Sequence, residues 1–311
     1  MSAATSIATA PARAGIIGAL ADCAELMKLR VTSLVMMSAW CGYYLGSAKS
    51  GVSSLNWAMF NSVLAIGVVS GGAAALNQVM ERDLDALMLR TAARPLPMGR
   101  MNPRWAAVLG LAATIGGAVY LGVATNWLAG ALAALTAAAY AGAYTPLKRH
   151  STICTFVGAF PGAMPPVLGW AAARGSLGWE PGVLFAIVFA WQFPHFHSIA
   201  WLYREDYVRA RIRMLAAMDE TGRATLLQII AYGALLVPIS MAPYWMHMAG
   251  RAYLLGAFVL SAAFLCFGIR MATLGMKPAE PRSKPRARYL LQASVFYLPL
   301  LFALMMLNPA K

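Results

Sequence analysis

The chain reads as an all-α polytopic membrane protein with nine transmembrane helices, and three observations carry that reading. Of 311 residues, 60% are hydrophobic and 12% charged, where soluble domains carry roughly 25% charged residues. Mean hydropathy is +0.62. The apolar residues also fall into long runs, each near the ~20 that a helix needs to cross a bilayer. This composition excludes a water-soluble globular enzyme. It also excludes intrinsic disorder, because the apolar surface is far too large. Backbone polar groups in lipid must be satisfied within the segment, so runs this long span as helices.

In chain order, residues 1–24 read as a short cytoplasmic tail. The first 20 are Ala- and Ser-rich with Arg13 as their one basic residue. They lack the charged start and apolar core of a signal peptide, and the several arginines of a mitochondrial presequence. Residues 25–311 read as one integral membrane domain. Its spans are expected at 31–48, 57–76, 105–124, 127–144, 153–173, 181–202, 225–245, 252–273 and 289–307. Gly and Ala are dense in the second to fourth, as in Gly71-Gly72-Ala73-Ala74-Ala75, which suits close helix packing. Pro161, Pro165 and Pro166 are expected to interrupt the fifth span and Pro194 the sixth; such breaks either line a cavity or are plain kinks. Cys23, Cys41, Cys154 and Cys266 form no C-x-x-C and read as small hydrophobes, with no disulfide or metal role.

The formal net charge is +14, from 25 Lys+Arg and 11 Asp+Glu. With nine spans, 21 of the 25 basic residues fall on the side of the N-terminus and only Lys49, Arg174, Arg251 and Lys311 on the other. The positive-inside rule then places the N-terminus in the cytoplasm and the C-terminus outside. It also accounts for the charge without nucleic acid. Ten of the eleven acids share the cytoplasmic side, Glu180 being the exception. Acids do not follow that rule, so short outer loops or a functional site must explain them.

The densest cluster runs from Asn77 through Glu81, Asp83 and Asp85 to Met88, Arg90, Thr91, Arg94 and Pro97. Asn77, Glu81 and Asp85 are spaced i, i+4, i+8 and form one stripe if the second span stays helical, about 6 Å per step. Two carboxylates and an amide offer hard oxygen ligands of the kind that hold Mg²⁺ beside substrate phosphates. Arg90 and Arg94 add planar donors for phosphate oxygens. The bland alternative is a solvated charged loop; ionisable groups entering from a span favour a site. A second cluster is Trp191-Gln-Phe-Pro194-His195-Phe-His197, followed by Asp206-Tyr207. His195 and His197 at i, i+2 point to different faces, so one is a packing residue. Pro194 suggests a local break exposing His195 to a cavity, and Asp206 could complete the metal site. Tyr144-Thr-Pro-Leu-Lys148-Arg149 brings a basic loop to the same side; its bland reading is a topology anchor.

On these residues the chain resembles the UbiA-type intramembrane prenyltransferases, and within them the protohaem IX farnesyltransferase (haem O synthase) family. The matching stretches are Lys28-Leu-Arg-Val-Thr-Ser-Leu, Asn77 to Pro97, Tyr144 to Arg149, and Trp191-Gln-Phe-Pro-His195-Phe with Asp206-Tyr207. Together they span about residues 25 to 300. Two departures stand out: Glu81 replaces the commoner Asp, and Arg211, Arg213 and Ala216 stand where the family pattern carries Gly, Pro and Pro.

The resemblance implies a UbiA-type bundle and transfer of a farnesyl group from farnesyl diphosphate to a vinyl of haem B, giving haem O and diphosphate on the way to haem A. It implies Asn77, Glu81, Asp83, Asp85 and His195 as catalytic residues. Mg²⁺ would sit on Asn77, Glu81, Asp85 and Asp206, with diphosphate on Arg90, Arg94, Lys148 and Arg149. His195 would contact haem, as iron ligand or as a polar guide near the vinyl. A bacterial-type cytoplasmic membrane and a neighbouring haem A synthase are implied as well. The rivals are a sister enzyme acting on a quinone precursor or chlorophyll-type ring, and a transporter with a midplane site near the broken spans. Acids gathered at one membrane face favour an enzyme over a transporter.

Overall fold

The computed structural model describes residues 15–51, 55–273 and 277–310. Among the described residues there are only helices and turns, apart from one isolated bridge between Ala249 and Pro309. Within the described residues, eight helices are long and apolar enough to cross a membrane: Trp57–Asp85, Pro103–Ala124, Trp127–Leu147, Cys154–Arg174, Glu180–Leu202, Arg223–Trp245, Arg251–Ala272 and Pro281–Leu307. The chain is therefore an integral membrane protein, with one span fewer by this measure than expected. The expected span missing from this set is the first, residues 31–48, which forms the helix Leu29–Lys49 and whose 21 residues suffice in length. It falls short in hydropathy because its buried face carries Thr32, Ser38, Gly42 and Ser47. That face packs on Pro165–Arg174, and a helix lying against protein has no need of a lipid-grade surface.

The close approach of these two helices depends on glycine. A Cβ at Gly42 would run into the Pro166 carbonyl, and one at Gly169 into the Ala39 carbonyl. Small residues let membrane helices approach closely where no hydrophobic drive separates protein from lipid. Asparagines start three helices: Asn56, Asn102 and Asn126 accept from Met59, Arg104 and Ala129 amides, satisfying donors that have no partner within the helix. At the far side, Tyr297 joins Ser240 and Ser261 hydroxyls at 2.6 and 2.8 Å. That network ties the last three long helices together through groups that lipid could not satisfy.

Two further expectations change and one holds. Part of the expected tail is ordered, as the helix Gly15–Leu26; residues 1–14 lie outside the described residues. Arg100 holds this helix by donating to Asp22 at 3.0–3.2 Å. The fifth span does break, between Ala163 and Pro165. The sixth does not: Glu180–Leu202 runs unbroken through Pro194, since neighbouring helices in a bundle tolerate the one backbone bond that proline forfeits.

Candidate active site

The site is built around the last turns of Trp57–Asp85. This helix has 29 residues and so extends about 44 Å, well beyond a hydrocarbon core of about 30 Å. Its continuous winding places Asn77, Glu81 and Asp85 on one stripe as the spacing required, and all three are buried. Each faces a cation. Lys28 Nζ donates to Asn77 Oδ1 at 3.0 Å. Lys148 Nζ donates to Glu81 Oε2 at 2.9 Å, and it faces Oε1 at 2.9 Å without a hydrogen bond to that oxygen. Arg94 Nη1 donates to Asp85 Oδ2 at 2.7 Å.

This stripe forms one end of a cavity of about 460 Å³. Arg90 also reaches it, so four basic and two acidic side chains line that end. The rest of the wall is mostly apolar, with Val35, Ile66, Leu168, Val188 and Leu298 among its residues, and it includes His195. Excess positive charge at one end and an apolar body at the other suit a ligand with a polyanionic head and a hydrocarbon tail.

Local structure explains how the remaining side chains arrive. The helix from Trp127 passes into a π-helical turn, Ala139–Tyr144, and then Thr145–Leu147. Such turns insert a residue and re-aim the side chains that follow, often at functional sites. Here Tyr140, Tyr144 and Lys148 face the cavity, and Thr145 accepts from Asn77 Nδ2 at 3.1 Å. Enclosure pushes the Lys28 pKa down to about 7, with Arg94 and Lys148 adding to the effect. Burial works against Lys148 as well, but Glu81 outweighs it and holds that pKa above the ordinary lysine value.

The structure separates the expected residues. Asn77, Glu81, Asp85, Arg90, Arg94, Lys148 and His195 all line the cavity. Asp83 does not: one residue round the helix from Arg82, it is exposed and pairs with that neighbour, facing a shallow surface depression instead. Arg149 is exposed and donates to the Met80 carbonyl. Asp206 is buried outside the cavity lining, and its two oxygens accept the Leu89 and Arg90 amides at 3.1 Å each. With Arg209 also on Oδ1 at 3.0 Å, this carboxylate clamps the loop that carries Arg90 and does not join the acidic stripe. Arg90 is held further by Tyr207, 3.2 Å from its Nη2, and by the faces of Tyr203 and Tyr207. His197 is the packing histidine, its Nε2 2.7 Å from Gln228 Oε1.

Lys28, Tyr140 and Tyr144 are the site residues that sequence reasoning missed. Lys28 and Tyr144 lie within stretches that match the family pattern, but only the fold shows that they face the cavity. Lys28 has φ 49°, ψ 51°, a left-handed geometry uncommon for lysine, which turns the chain where it enters the next helix. Arg211 has φ 55° at the position where the family pattern carries Gly. Arg213 replaces an expected Pro, and its amide donates to the Lys148 carbonyl at 2.8 Å, a bond that proline could not make.

The UbiA prenyltransferase family profile matches residues 35–306. The chain belongs to the UbiA prenyltransferase family. Among family relatives, the protoheme IX farnesyltransferase of Koribacter versatilis is 54% identical over 95% of this chain and 96% of its own length. That of Solibacter usitatus is 45% identical over 92% and 98%. The fold is shared with an Archaeoglobus fulgidus UbiA homologue solved with DMAPP and Mg²⁺, at TM-score 0.62 and 16% identity over 91% of this chain and 99% of that one. It is also shared with a digeranylgeranylglyceryl phosphate synthase, at TM-score 0.73 and 15% identity over 93% and 98%.

Proposed function

We propose that this protein transfers the farnesyl group of farnesyl diphosphate to a vinyl group of haem B, forming haem O and diphosphate in haem A biosynthesis. The observation that carries the reading is the stripe Asn77–Glu81–Asp85 ringed by Lys28, Arg94 and Lys148 at one end of an apolar cavity. Names of relatives at up to 54% identity supply the acceptor.

The donor set fits a magnesium ion. Asn77, Glu81 and Asp85 offer hard oxygens at one-turn spacing, and Glu81 Oε1 is buried and ion-paired with Lys148 at 2.9 Å without a hydrogen bond. Among the described residues no three His, Cys, Asp or Glu side chains gather into a metal cluster, so the amide of Asn77 and the substrate's phosphate oxygens would complete the shell. A bound Mg²⁺ would supply charge stabilisation for the departing diphosphate. The chain's own groups do the rest. Arg90, Arg94 and Lys148 bind the phosphate oxygens and favour the charge that grows on them as the C1–O bond breaks and its electron pair leaves with diphosphate. The apolar wall holds the farnesyl chain extended and keeps water from the allylic cation. The vinyl carbon bonds to C1, a water oxygen captures the cation left on the porphyrin side, and that water loses a proton. His195 contacts the haem. We place the protein in a bacterial-type cytoplasmic membrane, N-terminus and site mouth cytoplasmic, C-terminus outside, with a haem A synthase as neighbour.

The test uses purified protein in detergent with haem B, farnesyl diphosphate and Mg²⁺, read by mass spectrometry of extracted haem. A Mg²⁺-dependent product heavier by one farnesyl group plus water is expected. Unmodified haem from folded protein that binds farnesyl diphosphate would point to another acceptor.

A further inference from the structure

On the mostly apolar part of the cavity wall, an amide oxygen is left over. Gln192 is 3% exposed, and its Nε2 donates to the Ala159 carbonyl at 3.0 Å and to the Val188 carbonyl at 3.2 Å. Two carbonyls can be satisfied only by the NH2 of the amide, so the remaining atom is the oxygen. Among the described residues Oε1 accepts no hydrogen bond. It is not sealed in the core as Gln78 Oε1 is, and Gln192 lines the cavity. The rings on either side are held elsewhere: Trp191 Nε1 donates to the Ser294 carbonyl at 2.9 Å, and His195 Nδ1 lies 2.8 Å from Ser294 Oγ. An amide oxygen taken out of water without a donor costs free energy, so one kept free on such a wall points to a ligand.

The facing chain is cut back to make room for it. A Cβ at Gly162 would run into Gln192 Oε1. Gly162 also lines the cavity. Its own carbonyl has lost its helical donors, because Pro165 and Pro166 stand where their amides would be. The break in the fifth span thus leaves a second acceptor beside the first.

The depth is that of the reacting carbon. Asp206, just past Leu202, holds the Leu89 and Arg90 amides, just past Asp85. The helices Trp57–Asp85 and Glu180–Leu202 therefore end at one level. At 1.5 Å per residue, Gln192 lies about 15 Å back from Leu202, and Asn77 about 12 Å back from Asp85. Gln192 stands within one turn of Asn77 on the apolar side of the stripe, where the first carbons of a prenyl chain follow its phosphates.

Resting on the farnesyl transfer to haem argued above, we propose that Gln192 Oε1, with the Gly162 carbonyl beside it, holds the water that becomes the hydroxyl of haem O. The vinyl π pair forms the bond from the terminal vinyl carbon to C1, the C1–O pair leaves with diphosphate, and the inner vinyl carbon is left cationic. A water whose two hydrogens are accepted by carbonyl oxygens keeps its lone pairs free, and one of them bonds to that carbon. The proton then released from the new C–OH2 group goes to diphosphate. Without the held water the cation sheds a proton from the adjacent carbon, and the product is an alkene lighter than haem O by one water.

The test is the Mg²⁺-dependent reaction of the full-length protein in detergent with haem B and farnesyl diphosphate, read by mass spectrometry of haem extracted by one work-up throughout. Wild type gives the alcohol. Gln192→Met, which keeps the length and removes the oxygen, raises the ratio of alkene to alcohol about tenfold, as for one lost hydrogen bond. Gly162→Ala, which pushes the carboxamide aside without removing it, raises the ratio as well. Both variants retain Mg²⁺-dependent binding of farnesyl diphosphate, which shows that they are folded. A wall that is merely loosened admits water and releases farnesol with the ratio unmoved. That result, or a wild-type ratio in folded Gln192→Met, overturns the proposal; where Gln192→Met does not bind farnesyl diphosphate, a wild-type ratio in folded Gly162→Ala overturns it. Wild type that binds farnesyl diphosphate but leaves haem unmodified overturns the haem reading and the proposal together, whereas wild type that makes the alcohol beside unmoved variants overturns the proposal alone.

Discussion

Asp85→Asn removes one of the two carboxylates from a cavity end lined by four basic side chains. The lost carboxylate accepts Arg94 at 2.7 Å, and its side chain is 2% exposed, so little water intervenes. A hydrogen bond to a charged group contributes about 1.5–3 kcal/mol, and 1.4 kcal/mol is about tenfold in affinity. A lost metal contact of that size lowers Mg²⁺ affinity by about one to two powers of ten. The anion alone should behave oppositely: with one repelling charge gone, metal-free diphosphate binds more tightly. Calorimetric titration of farnesyl diphosphate with and without Mg²⁺ measures both effects on one protein. Turnover, read from haem mass, should fall on the order of a hundredfold, as when a preorganised charge-stabilising group is lost. Wild-type turnover with unchanged Mg²⁺ dependence in folded Asp85→Asn would refute the assignment of the stripe as the metal site.

Asp206→Ala frees two loop amides, so hydrogen exchange at Leu89 and Arg90 should rise and KM for the diphosphate with it, while Mg²⁺ affinity stays within about twofold; a loss like that of Asp85→Asn would make Asp206 a ligand instead. Arg211→Gly relieves a left-handed residue at a cost of about 1–2 kcal/mol, and thermal unfolding should shift upward; an unchanged or lower Tm would show that the Arg211 side chain outweighs the strain. Burial favours the neutral form of Asp219, but hydrogen bonds from Thr225, Thr221 and Gly222 outweigh it and hold its pKa below the ordinary value. A depressed folded pKa means stability present above the unfolded pKa and lost as pH falls. Asp219→Ala should therefore cost about 1 kcal/mol at pH 7, with the gap to wild type closing below about pH 4; a gap independent of pH would contradict the role of the charge.

The acidic stripe was legible because helical periodicity is local: once Trp57–Asp85 stays wound, Asn77, Glu81 and Asp85 must share a face. The same periodicity turns Asp83 away, and a helical wheel would have excluded it. The roles of Asp206 and Lys28 were not legible, because each depends on a partner distant in sequence. Asp206 meets amides 117 and 116 residues away, and Lys28 meets Asn77 at a separation of 49. Pro194 read as a break because local rules count the lost backbone bond and not the neighbouring helices that make its loss tolerable.

The sequence by itself determined the membrane class, the helical form of the spans, the stripe and the family. Composition, the demand that lipid places on backbone groups, and the 3.6-residue repeat act on each segment alone. Only the tertiary structure decided which cation faces which acid, that His195 and not His197 opens on the cavity, and that Ser294, 99 residues away from His195, holds its ring. Those choices follow from how each helix is rotated against its neighbours. That rotation is set where backbones touch, as at Gly42 and Gly169, and no single segment carries it.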